Sequence, residues 1–251
     1  MRFDINAFFG HWPYYPLPQT SGEDVLRLMD RFQIDRAAMT SLRAMHGDWG
    51  EANAETLRFT REHADRLTPI ACMSPMLNGG GDKLRELVEE GCRAVRLYPG
   101  LAQGYHLGSP FADDIVSTAG TLGIPAIVPT RPMMHFRFPP VPIPQITALA
   151  SRHPQTQIIL SGPNYLLEFT MAVEALQASP NMTIEISCMQ GFRGLDFMVD
   201  AVGAQRVLFG TGLPLHYAAC GTAKLEHSKL TADQLAAVSS QNAVRLLGLD
   251  Q

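Results

Sequence analysis

A chain of 251 residues, 46% hydrophobic and 18% charged, has the composition of a globular protein rather than a disordered one. Its net charge of −4, with no Lys/Arg-rich run, argues against nucleic acid or an anionic membrane surface as a partner, and no apolar run approaches membrane-spanning length. Cys72, Cys92, Cys188 and Cys220 form no CxxC pair and read as reduced thiols of a cytoplasmic protein, while the opening Met1-Arg-Phe-Asp4 does not read as a signal peptide.

Taken in chain order, eight short β-like runs recur with helical patterns between them. They are Phe3–Asn6, Ala37–Thr40, Thr68–Met73, Ala94–Tyr98, Pro125–Pro129, Gln157–Ser161, Thr183–Ser187 and Arg206–Gly210. Several are rich in Ile, Val and Leu with little polar alternation, as parallel strands covered on both faces require. Strand alternating with helix predicts an α/β parallel sheet. The helix punctuation agrees. Ser21 caps a run opening Gly22-Glu-Asp24; Gly79-Gly-Gly81 is a flexible turn before a helix from Asp82 to Glu90; Ser109-Pro110 opens another; and Thr231-Ala-Asp-Gln234 reads as a capping box for a helix running to Gly248. The proline-rich stretch Pro129–Pro144 reads as a stiff loop inside one domain spanning residues 1–251. The length suits a single eight-fold β/α barrel, in which loops following strands gather at the C-terminal face.

Five stretches carry a resemblance over nearly the whole chain: Phe3-Asp-Ile-Asn-Ala-Phe8, Gly91-Cys-Arg-Ala-Val-Arg-Leu-Tyr-Pro99, His153-Pro-Gln-Thr-Gln-Ile-Ile-Leu-Ser161, Arg206-Val-Leu-Phe-Gly-Thr-Gly-Leu-Pro214 and Asn242-Ala-Val-Arg-Leu-Leu-Gly248. In type and order they resemble the amidohydrolase superfamily, in its branch of small decarboxylases and lactonases. The resemblance implies a single (β/α)8 barrel and a homodimer. It also implies a metal held by His-x-His after strand one, a His after strand five, a His after strand six and an Asp after strand eight. This sequence offers Asn6 and Phe8, Thr130, Gly162 and Gly212 at those places. Phe, Thr and Gly cannot supply the imidazoles and carboxylate that grip a transition metal, and Asn6 offers one weak oxygen. None of the histidines forms HxH, HxxH or HExxH. The expectation is therefore no family-type metal and no cofactor, with a site assembled from separate loops as the remaining alternative.

Several residues are candidates for chemistry. Glu185 lies inside strand seven, where a buried carboxylate is costly unless paired or protonated; it is an acid or base, or half of a structural ion pair with an arginine. Ser187 shares its face. His11, after strand one, and His216, after strand eight, are acid or base candidates if they face one pocket, against the plainer reading of loop histidines in water. Arg96, Arg131, Arg137 and Arg193 lie on or after strands, where a guanidinium can clamp a carboxylate; ligand contact is favoured for Arg131. Asn6, Thr130, Trp12 and Tyr14 complete the expected binding surface. The aromatic loop from Phe8 to Pro18 either walls a ligand pocket or plugs the barrel mouth. Asp4 reads as structural.

The leading expectation is a hydrolase or carboxy-lyase working without metal on a small organic acid, lactone or amide-like substrate. Water would then be activated by a side chain, and developing charge stabilised by donors or arginine. The alternative is a catalytically silent barrel that binds a metabolite or regulates a partner, since fold alone does not transfer activity.

Overall fold

A computed structural model describes residues 1–100, 103–131, 139–164 and 166–249. The chain alternates as expected. β1 (Phe3–Phe9) is followed by α1 (Gly22–Arg31), and β2 (Arg36–Ser41) by α2 (Trp49–Glu62). β3 (Leu67–Pro69) and β4 (Ala71–Met73) precede α3 (Gly80–Glu89), β5 (Val95–Leu97) precedes α4 (Pro110–Thr121), and β6 (Ala126–Pro129) precedes α5 (Ile143–Arg152). β7 (Ile158–Ser161) leads to α6 (Leu166–Ala178), β8 (Met182–Glu185) to α7 (Gly194–Val202), and β9 (Val207–Leu208) to α8 (Ala219–Glu226). α9 (Ala232–Ala236) and α10 (Asn242–Leu246) close the chain.

Every neighbouring strand pair is parallel. β3 and β4 are two halves of one barrel strand. At the break the Ile70 N–H bonds back to Met39 O at 2.9 Å, while the Ala71 N–H turns the other way to Ala94 O at 3.0 Å. The expected strand Thr68–Met73 is thus a single staple between β2 and β5. The circle closes between β1 and β9, where Ile5 N–H meets Phe209 O at 3.0 Å and Gly212 N–H meets Asn6 O at 2.8 Å. The result is a (β/α)8 barrel.

Side-chain alternation sorts the interior into layers. Phe3, Ile5, Ala38, Ile70, Ala94, Ile127, Ile159 and Leu208 form one apolar floor, sealed from below by Ala243, Val244, Leu246 and Leu247. A buried aliphatic side chain contributes roughly 1.5–3 kcal/mol, so this floor holds the barrel without help from polar groups. Two residues further along the strands stand Thr40, Cys72, Arg96, Ser161, Glu185 and Gly210. The layer nearer the C-terminal face is therefore polar, and it includes two buried charged groups.

The helix ends follow the sequence with two instructive departures. Ser21 with Asp24, and Thr231 with Gln234, form capping boxes, and Ser109 caps α4 with proline in its first turn. The triple glycine is not a flexible turn. Gly80 and Gly81 are the first residues of α3, Gly81 N–H bonds to Asp114 at 2.8 Å, and a side chain on Gly81 would collide with Thr118. The helix expected from Thr231 to Gly248 is interrupted by a π turn over Ala237–Gln241. That wider turn frees the Val238 carbonyl, which accepts from Phe209 N–H at 3.0 Å and pins the end of β9. Among the described residues no helix is long and apolar enough to cross a membrane.

Candidate active site

The polar layer is organised around Asn6 of β1. Its side-chain oxygen accepts from Arg96 Nη1 at 2.6 Å, and its amide nitrogen donates to Glu185 Oε1 at 3.3 Å and Ser187 Oγ at 3.0 Å. Arg96, on β5, is 1% exposed, and its guanidinium lies over the Phe8 ring at 4.7 Å. Its Nε and Nη2 have no hydrogen-bond partner among the described residues. No carboxylate among them pairs with it, since the ion pairs all involve other groups. Burying a cation with unspent donors is expensive, so a group of this kind calls for a further partner such as a ligand, an ion or water. Beside it, burial pushes the Tyr98 phenol up, while the Arg96 charge works against that rise.

Glu185 is held differently. Oε1 accepts from Ser161 Oγ at 2.5 Å, Ser187 Oγ at 2.8 Å and Asn6 Nδ2, and Oε2 accepts from Ser187 N–H at 2.6 Å. Every one of these donors belongs to the protein, so the carboxylate's hydrogen bonds are filled from within the barrel. The arginine pair expected as the structural alternative is not among the ion pairs of the described residues; hydroxyls, a backbone N–H and an amide stand in its place. Gly210 makes the arrangement fit, because a Cβ there would overlap Glu185 Oε2. Asp4 is also a scaffold: it accepts from Asn6 N–H at 2.9 Å, Thr211 N–H at 3.0 Å and the Thr211 hydroxyl, which ties β1 to the strand-eight turn. Burial raises its pKa to about 6, against the lowering effect of those bonds.

That turn carries the second feature. Gly212 has φ +70°, and a Cβ on it would stand 2.6 Å from His216 Nδ1. The imidazole of His216 therefore occupies the space into which a side chain at position 212 would project. Its Nε2 is buried without a partner among the described residues. Burial pushes its pKa down and Lys224 adds to that, while Glu185 and a backbone interaction at Thr211 pull the other way. Lys224, on α8, donates to Ile186 O at 2.5 Å and Ser187 O at 3.0 Å, and burial lowers its pKa against the opposing charge of Glu185. Nothing in the sequence singled out Lys224: one lysine on a mixed helix carries no local signal.

The other candidates disperse. His11 is exposed on its loop, where its carbonyl meets the His46 ring at 3.2 Å, so it is not assembled with His216 in the polar layer. Arg131 is committed to a two-pronged pair with Glu168, one arm at 3.0 Å, and Glu168 also accepts Asn164 N–H at 2.6 Å. Sequence reading missed this pair, because Glu168 lies on the following helix. Arg193 pairs with Asp196 at 2.9 Å. Arg137 lies outside the described residues. Thr130 is buried with its hydroxyl unpartnered among them, beside Gly162. Trp12 packs with Phe8, Tyr98 and Leu215, and its indole N–H also lacks a described partner, whereas Tyr14 is 46% exposed and meets Trp12 at a tilt, with ring centroids 4.9 Å apart. The aromatic loop therefore covers one side of the mouth from above.

The architecture is that of a (β/α)8 barrel whose polar groups collect at the C-terminal ends of the strands, the place where such barrels do chemistry. The chain belongs to the amidohydrolase family, matching it over residues 5–249. No functionally curated protein matches the sequence. Among solved structures it is similar to an uncharacterized TIM-barrel protein of Bordetella bronchiseptica, with TM-score 0.78, 16% identity and 98% of each chain covered. It is also similar to a 5-carboxyvanillate decarboxylase of Sphingomonas paucimobilis, with TM-score 0.78, 11% identity and 99% of each chain covered. A third likeness is to a probable 2-pyrone-4,6-dicarboxylic acid hydrolase of Acinetobacter baumannii with citric acid bound, with TM-score 0.72, 13% identity and 99% of each chain covered.

The resemblance to metal-holding members can be tested on this chain's donors. Among the described residues no three His, Cys, Asp or Glu side chains gather in a way that could hold a metal ion. Where the His-x-His pair is expected stand an amide and a phenyl ring, and both are in contact with the Arg96 cation. A fixed positive charge in that space repels a divalent ion. The residues present do not fit the family's metal.

Proposed function

We propose that this protein is a small-molecule hydrolase or carboxy-lyase that works without the family's metal, on a small organic acid, lactone or amide-like substrate whose anionic group is bound by Arg96. The observation that carries the reading is the buried guanidinium with two N–H groups that have no hydrogen-bond partner among the described residues. It lies at the C-terminal end of a barrel strand, with the Thr130 hydroxyl after β6 and the Trp12 N–H after β1, both without a partner among the described residues. A preorganised cation in a dry site stabilises developing negative charge far better than water does, and contributes where a metal otherwise acts as Lewis acid. Family membership and the decarboxylase and hydrolase folds that the chain resembles support the reaction class. The buried Phe8 and Trp12 narrow the mouth and support the alternative of a silent metabolite-binding barrel.

The test is an activity screen on carboxylated lactones and hydroxybenzoates, before and after exhaustive chelation, with Arg96→Met alongside. Turnover that survives chelation and is lost in Arg96→Met supports the proposal. Turnover that disappears on chelation and returns with manganese or zinc overturns the metal-free reading. Binding of these acids without turnover selects the silent barrel.

A further inference from the structure

The geometry points to His216 as the general base, seated on the turn after Gly212 in the volume that the missing residue-212 side chain leaves open; this deepens the reading above and rests on it. Three observations converge. The Nδ1 atom stands 2.6 Å from where a Cβ on Gly212 would be, so glycine at 212 is a condition for the imidazole's placement. The His216 N–H bonds to Gly212 O at 2.9 Å, which closes the turn that swings the ring back over the strand end. Nε2 is enclosed and bonded to no described protein group, so its proton-accepting capacity is not spent within them. The barrel thus exchanges a carboxylate on the strand for an imidazole on the turn after it.

Asn6 links this base to the anion site. Its carbonyl holds Gly212 N–H at 2.8 Å and its side chain holds Arg96 at 2.6 Å. The charged neighbours that act on His216 are Glu185 and Lys224. An imidazole kept neutral by burial is ready to accept a proton and poorly suited to donate one first, which favours hydrolysis over protonation of a carbon that is losing carbon dioxide. In the step, His216 Nε2 takes one proton from water as the water oxygen bonds to the carbonyl carbon of a lactone or ester. When the tetrahedral species collapses, the carbon–oxygen bond to the leaving group breaks, and the departing alkoxide takes that proton back. Acid and alcohol are released and the imidazole is neutral again, with no other reactant consumed.

The experiment is acylation of histidines by diethyl pyrocarbonate at neutral pH, read by peptide mass spectrometry, with and without citrate, on the wild type, Arg96→Met and His216→Gln. Citrate affinity is measured on the same samples by calorimetry. The expected result is modification of His216 in the free wild type, at least tenfold protection by citrate, and no protection in Arg96→Met. Hydrolysis of the lactone panel should fall at least a hundredfold in His216→Gln, with citrate affinity unchanged. If citrate binds in an Arg96-dependent way and His216 is modified equally with and without it, or His216→Gln keeps its rate, the base assignment is overturned while the anion site stands. If citrate does not bind, or binds Arg96→Met as well as wild type, the anion site itself fails.

Discussion

Arg96 and Glu185 share one layer of the barrel interior and are bridged by Asn6, which accepts from the guanidinium at 2.6 Å and donates to the carboxylate at 3.3 Å. A direct pair would have neutralised both charges and spent the donors of the arginine. The intervening amide keeps Nε and Nη2 available. Such a cation costs desolvation energy that the apoprotein never recovers.

That cost sets an expected outcome for Arg96→Met. Removing the cation relieves its desolvation cost, while the buried Asn6 oxygen loses its donor, an opposing loss of about 1–3 kcal/mol. The variant should therefore unfold in urea at a midpoint close to that of wild type, while its affinity for small carboxylates falls roughly tenfold to a hundredfold, the worth of a charge-assisted hydrogen bond. A variant both unstable and still binding acids would mean that Arg96 serves the fold.

Glu185→Gln separates scaffold from base. Four donors converge on that carboxylate, one of them the Ser187 backbone N–H. An amide must point its NH2 at one of them, leaving donor against donor in a buried site. The expected loss is about 2–4 kcal/mol of unfolding free energy. Urea titration with an unchanged m-value checks it. A stable variant whose only defect is in turnover would restore Glu185 as a base.

These residues show how far the chain could be read before folding. The barrel was legible because its signals are local and repeat: apolar runs of strand length, Ser21, Ser109 and Thr231 at helix starts, glycine at helix ends. The residues standing where the family's ligands are expected could be read too, since each lies in a matching strand end. What the sequence withheld were meetings between distant segments. Arg131 finds Glu168 because α6 follows β7 beside it, and Lys224 reaches the carbonyls after β8 from a helix of its own. His216 was visible only as a histidine near a turn; its meaning comes from the ring filling space beside Gly212.

Gly210→Ala tests the packing around the carboxylate. The backbone of Gly210 is not left-handed, so the cost of a methyl is purely steric, and it would fall on Glu185 Oε2 and within 3.2 Å of Asn6 Cβ. Overpacking of this kind costs roughly 1–3 kcal/mol. Glu185→Asp, with one methylene fewer, should withdraw the oxygen and make the pair of changes less damaging than their sum. A double-mutant cycle in urea reads that coupling, expected at about 0.5–3 kcal/mol because the residues touch. Strict additivity would mean that the two groups relax apart.

Asp4 gives the last expectation, a pH dependence of opposite sign to that of most carboxylates. Its folded pKa is raised to about 6 from 3.8, chiefly by burial, with the nearby Glu185 adding a smaller push. Below the unfolded value both states are protonated and the group contributes no slope. Between 3.8 and about 6 the folded protein holds the proton that the unfolded chain has released, so stability falls as pH rises. Above that window the loss is complete, on the order of 3 kcal/mol. Asp4→Asn stays neutral throughout, so its stability relative to wild type should climb by about that amount between pH 4 and pH 7, while contributions from carboxylates not coupled to Asp4 cancel in the difference. Unfolding free energies of the two proteins across that range decide the matter. Parallel curves would show that the Thr211 and Asn6 bonds hold Asp4 ionised at an ordinary pKa, and that burial is not the dominant influence on it.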